Sequence, residues 1–191
     1  MVPPGDVGGI RGSRPRLRGD AKPKTGPPSP AAAIWSAPPK DAQPDPAPSP
    51  VRVKKRVLFV CIGNSCRSQM AEAFARAYGS DALWVQSAGL GPAPMVAPLT
   101  RQILQEKNVR SDDQFPKGLD MMSREKFDLV INMSGRKFNF PSGEMVEWVV
   151  RDPIGETAGT YRAVADQIEG LVMRLILDAR AAMASETRTT I

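Results

Sequence analysis

Four consecutive apolar residues, Val57-Leu58-Phe59-Val60, run into Cys61-Ile62-Gly63-Asn64-Ser65-Cys66-Arg67-Ser68, and from Met70 the apolar positions change to helical spacing at Ala73, Phe74, Ala77 and Tyr78. A short unbroken apolar run suits an interior strand of a parallel sheet, and a change of period from strand to helix across eight residues leaves only a tight loop between them. Such a loop lies at a helix N-terminus, where unpaired backbone N–H groups and the helix dipole favour an anion. The backbone N–H groups of Ile62 to Arg67 therefore form the candidate anion-binding loop.

The two ends of this loop carry reactive chemistry. Cys61 closes the strand, and a cysteine beside a helix N-terminus and an arginine is placed to act as a thiolate nucleophile. Arg67 offers a planar fork that binds two oxygens of a tetrahedral oxyanion at once, which a lysine could not do. Each residue also has a plainer reading. A cysteine at a strand end is often a small buried hydrophobe, and Gly63-Asn64-Ser65 can be an ordinary turn with Ser65 as N-cap. Strand, loop, arginine and helix in this order favour the catalytic reading.

The rest of the chain divides unevenly. Thirteen of its 19 prolines fall within residues 1–50, and residues 1–56 carry eleven Lys/Arg against four Asp, a charge of +7 in a chain whose net charge is +6. The basic pI near 9.6 thus belongs to the N-terminal segment and is no argument for a nucleic-acid-binding domain. Residues 1–52 read as a disordered Pro/Gly/Arg-rich tail, either a solvated extension or a weak electrostatic tether with unknown contacts. Residues 53–182 read as the folded domain and 183–191 as a C-terminal tail. No secretory signal and no apolar run long enough to span a membrane stands out, and two cysteines in one loop make no disulfide framework, so a cytoplasmic location is expected.

Strands and helices alternate along the domain. Leu83-Trp84-Val85-Gln86-Ser87 reads as a second strand ending at Ala88-Gly89, Pro98 starts a helix that breaks near Asn108, and a short helical segment covers Leu119 to Lys126. Asp128 to Met133 and Met145 to Val150 are the third and fourth strands. Tyr161, Val164, Ile168, Leu171, Val172, Leu175 and Ile176 give the last helix one apolar face. The pattern predicts an α/β fold of three layers: a four-stranded parallel sheet flanked by helices on both faces, with the active-site loop after the first strand. In such sheets ligands bind at the carboxyl ends of the strands, where this loop falls.

Oxyanion transfer through a thiol also needs an acid for the leaving oxygen. The chain has no histidine. Asp152 follows the fourth strand at the same sheet edge, stiffened by Pro153 and Gly155, and is the candidate acid and base; taken alone, an Asp-Pro pair is a turn former.

The run Cys61 to Ser68, the helix beginning Gln69-Met70-Ala71-Glu72, Ser87-Ala88-Gly89 and the late Asp152-Pro153 together resemble the low-molecular-weight protein tyrosine phosphatase superfamily, which includes arsenate reductases. The resemblance covers roughly residues 53–182. It implies Cys61 as nucleophile, Arg67 as clamp, Asp152 as general acid and then base, and Ile62, Gly63, Asn64, Ser65, Cys66, Arg67 and Ser68 as the substrate-binding loop. Asn64 would hold the loop in shape, Ser68 would donate to the Cys61 sulfur, and Ser87 would brace the loop from the second strand. Cys66 is either a packing residue or a second thiol able to pair reversibly with Cys61.

Within the superfamily the residues point two ways. Gln69 stands where phosphatases have proline, which is similar to the reductases. Met133 and Phe140, however, occupy the places of the two additional cysteines of thioredoxin-coupled reductases. Ile154 and Gly155 replace the tyrosines that line a phosphotyrosine slot, and Asp112 falls where many phosphatases have a loop-supporting histidine. The leading expectation is a metal-independent phosphatase acting on a phosphorylated protein, with phosphotyrosine as default, or on a small phosphomonoester, with no cofactor. The alternatives are an arsenate reductase that takes an external thiol reductant and a non-catalytic phosphate-binding adaptor.

Overall fold

The computed structural model describes residues 53–189; the N-terminal segment 1–52 lies outside the described residues. Within them the chain runs β1 (Lys55–Cys61), α1 (Arg67–Gly79), β2 (Leu83–Gly89), α2 (Pro98–Glu106), a 3-10 turn (Leu119–Met122), β3 (Leu129–Asn132), β4 (Glu144–Glu147) and α3 (Ala158–Thr189). The four strands are all parallel and ordered β2-β1-β3-β4. β1 is central, and the strand order reverses on either side of it, so the loop after Cys61 opens at the switch point of the sheet.

The alternation of β1 side chains separates two cores. Val57 and Phe59 face α1, α2 and α3, packing with Met70, Phe74, Ile103, Ile168, Val172 and Ile176. Leu58 and Val60 face the other way, with Ala88, Met122, Phe127 and Val130. That second face is covered by the 3-10 turn and by Phe138 and Phe140 of the β3–β4 connection, while the three α-helices share the first. Phe59 and Phe74 are both fully buried, each contributing about 1.5–3 kcal/mol of hydrophobic stabilisation.

Several boundaries differ from the sequence reading for physical reasons. β4 pairs only through Glu147, opposite Asn132 where its single neighbour β3 ends; its strand-like continuation Trp148-Val149-Val150 leaves the ladder after one further bond, Trp148 N to Asn132 O at 2.9 Å. The helical segment after Leu119 is one 3-10 turn rather than a helix to Lys126. α3 continues past residue 182 to Thr189, so 183–189 prolong the helix. One turn before it, Arg180 pins α3 by gripping both Asp81 oxygens at 2.8 Å and the Tyr78 carbonyl at 2.9 Å.

Candidate active site

The Cys61–Arg67 loop owes its shape to where its carbonyls go. Cys61 O accepts from Leu90 N, Ile62 O from Gly91 N, Gly63 O from Ala93 N and Ser65 O from Ala97 N, at 2.9 to 3.1 Å. Asn64 O accepts from Gln69 Nε2 at 2.9 Å, and Thr100 Oγ1 adds a second bond to Ser65 O at 3.1 Å. With the carbonyls tied outward, the loop amides have the interior of the turn to themselves, which is the arrangement an anion requires. Asn64 sits in the left-handed region at φ 47° to make the turn. Gly89 lets β2 pass close beneath, since a Cβ there would lie 2.7 Å from Ile62 O and 2.8 Å from Asn64 N.

Cys61 and Arg67 are both buried at this loop. Cys61 Sγ lies 2.9 Å from Ser68 Oγ, and the directions of the neighbouring bonds decide who donates. Asn64 Oδ1 accepts from Lys117 N at 2.7 Å and from Gln69 Nε2 at 3.1 Å, so its Nδ2 must be the group that meets Ser68 Oγ and Ser87 Oγ, each at 2.8 Å. Ser87 spends its hydrogen on Glu72 Oε2 at 2.5 Å. Ser68 accepts from Asn64, which leaves its own hydrogen free to be donated to the Cys61 sulfur.

Glu72 is the hidden anchor of this chain of bonds. It is a fully buried carboxylate that also meets Lys117 Nζ at 3.3 Å and Arg76 Nη2 at 2.5 Å. Lys117 therefore supports the loop twice, through its amide on Asn64 and its ammonium on Glu72. Asp112, expected near the loop, instead stands 83% exposed beside Arg110. Neither Glu72 nor Lys117 emerged from the sequence as a site residue. An acidic residue on the buried face of α1, four positions after Ser68, was the available signal for Glu72; Lys117 offered none.

Arg67 is placed by the sheet edge. Its Nη1 donates to Met133 O at 2.7 Å and Val150 O at 3.2 Å, its Nη2 pairs with Asp152, and its Nε is buried with no partner. Asp152, on the turn after β4, is 40% exposed and also accepts from Ile154 N at 3.3 Å. The cysteine loop, Arg67 and Asp152 thus meet at one sheet edge, where their order along the strands placed them. Cys66 heads α1 with its thiol in the main core; burial pushes that thiol up to about 12, partly offset by a hydrogen bond with Thr100. Met133 and Phe140, where thioredoxin-coupled reductases carry cysteines, are packing residues: Met133 is buried, and the Phe140 ring lies 5.9 Å from that of Phe127. Among the described residues no group of three His, Cys, Asp or Glu side chains could hold a metal, and no helix is long and apolar enough to cross a membrane.

Residues 56–188 match the low molecular weight phosphotyrosine protein phosphatase family. The chain belongs to this family. Among its relatives, the glutaredoxin arsenate reductase of Synechocystis sp. is 34% identical over 127 residues, covering 64% of this chain and 96% of the relative. A solved arsenate reductase in its phosphate-binding state superposes with a TM-score of 0.60 at 32% identity, over 65% of this chain and 98% of the other. The YwlE arginine phosphatase of Geobacillus stearothermophilus is also similar, with a TM-score of 0.58 at 26% identity over 69% and 96% of the two chains. Family members similar to this chain thus include both reductases and a phosphatase.

Proposed function

We propose that this protein is an arsenate reductase that draws its electrons from an external thiol. The observation that carries the reading is the combination of an oxyanion loop braced by Gln69 with one nucleophilic cysteine, in a chain whose relatives named above include arsenate reductases. The phosphatase reading, favoured by the residues alone, now takes second place.

In the proposed reaction the Cys61 thiolate attacks arsenic, an S–As bond forms, and one As–O bond breaks with its oxygen leaving as water after protonation by Asp152. The loop amides and Arg67 hold the remaining oxygens, and Ser68 steadies the sulfur before attack and when it departs. A thiolate of the external reductant then attacks Cys61 Sγ. As the S–S bond forms, the S–As bond breaks with its electron pair going to arsenic, which leaves as arsenite. A second thiol cleaves the mixed disulfide and restores Cys61.

The external source follows from the chain's thiol inventory. It contains two cysteines, and Cys66, buried and held as the thiol, is a poor attacking group. A glutathione, mycothiol or protein dithiol must therefore do what an internal relay does elsewhere. Purified protein should release arsenite from arsenate with at least one of these thiol systems, and Cys61→Ser should abolish the release. Absence of arsenite with all of them would overturn the proposal. Hydrolysis of phosphomonoesters remains a second reading, favoured by Asp152 beside Arg67; an aryl phosphate assay on the same preparation tests it, and a lack of turnover rejects it.

A further inference from the structure

Arg67 has five N–H donors, and the fold divides them into two sets. Nη1 is tied to the carbonyls of Met133 and Val150, which fix the guanidinium to the sheet edge. The opposite edge, Nε and Nη2, is the pair that can grip two oxygens of one anion side by side. On that edge Nε has no partner, while Nη2 is taken by Asp152. An oxyanion on the loop amides can therefore claim Nε at once, but gains the second arm of the fork only by displacing a carboxylate.

The displacement is physically easy in one direction. The Asp152 side chain is 40% exposed, so it can turn to water without becoming a buried unpaired charge, and Ile154 N keeps it close to the site. A multiply charged oxyanion repels the carboxylate and offers Arg67 a stronger acceptor. Arsenous acid, the reduced product, is uncharged at neutral pH and does neither.

Building on the arsenate reading, we infer that Asp152 is a specificity-determining residue: it competes with the substrate for Arg67 Nη2, so that charged oxyanions are held and the uncharged arsenic(III) product is released. Displaced by substrate, the same carboxylate can take the acidic hydroxyl proton of a bound arsenate monoanion and pass it to the leaving oxygen, which departs as water. Its return to Arg67 closes the cycle.

The test is equilibrium binding of inorganic phosphate, followed by calorimetry, to Cys61→Ser protein with and without Asp152→Ala. Cys61→Ser keeps arsenite from attaching to the sulfur, so phosphate and arsenite can be compared on one background. Loss of the competitor should tighten phosphate binding about fivefold, the scale of a partly exposed ion pair, and the 15Nε signal of Arg67 should move with phosphate but not with arsenite. Unchanged or weaker phosphate binding in the Asp152→Ala protein overturns the inference, as does an arsenite-induced shift equal to that from phosphate. Neither readout depends on turnover: failure of arsenate reduction with a normal phosphate gain would refute the proposed activity alone, and the converse would refute only the competition.

Discussion

Replacing Glu72 by Gln isolates the charge that holds the underside of the loop. The glutamine keeps the volume and can still accept from Ser87, but it leaves the Lys117 ammonium, whose side chain is 7% exposed, without a buried counter-charge. Removing one member of a buried pair costs about 3–5 kcal/mol, because the remaining charge stays desolvated. Arg76 is more exposed and has Asp113 at 3.1 Å as a second partner, so its loss is small and the lower end, about 3 kcal/mol, applies. At roughly 4 °C per kcal/mol for a domain of this size, the melting temperature should fall by about 12 °C. Calorimetry at pH 7 on Glu72→Gln, Lys117→Met and the double variant measures both the cost and its origin. If the orphaned ammonium is the cause, the double variant should be more stable than the sum of the single losses by about 2 kcal/mol. A fall below about 3 °C in Glu72→Gln, or strict additivity in the double variant, would refute this account of the buried pair.

Three further outcomes are expected. Gly89→Ala should displace the loop, since its Cβ would meet Ile62 O and Asn64 N at under 3 Å, and turnover should drop at least tenfold; normal kinetics would show that the loop tolerates the shift. Gln69→Ala removes donors to Asn64 O at 2.9 Å, Asn64 Oδ1 at 3.1 Å and Phe115 O at 2.9 Å, and at about 1 kcal/mol for each bond that matters to loop shape, KM for the oxyanion should rise about five- to thirtyfold in steady-state assays. Cys66 and Tyr161 are each raised by burial to about 12, from 9.0 and 10.0, so the stability they confer is complete below those ordinary values and is lost as pH climbs towards 12. Denaturation midpoints should decline between pH 9 and 12, and iodoacetamide at pH 8 should leave Cys66 unmodified in the folded protein; labelling of Cys66 as fast as in the unfolded chain contradicts the burial argument.

The elements that were legible in the sequence share one property, a local pattern tied to burial. The β1-loop-α1 unit was readable because hydrophobic period changes across it, and α3 because seven apolar residues keep to one face. β4 was overextended because Val149 and Val150 look like strand residues, yet the chain must leave the ladder there so that the Val150 carbonyl can receive Arg67. The site residues Cys61, Arg67, Ser68, Ser87 and Asp152 came together as their order along the strands implied. Lys117 remained hidden because half of its contribution is a backbone amide, which no side-chain identity reveals, and Asp112 was misplaced because the segment from 107 to 118 contains no regular element to carry an alignment.

The outward-tied carbonyls of the loop have a broader chemical consequence. A ring of amides fixed before anything arrives recognises tetrahedral geometry and negative charge, not the element at the centre, and phosphate and arsenate differ little in either respect. Such a socket can pass from one reaction to the other without being rebuilt. What decides between hydrolysis and reduction is whether the bound centre is reducible, as arsenic(V) is and phosphorus(V) is not, and whether a thiol reaches the Cys61 sulfur before water attacks; neither is set by the ring.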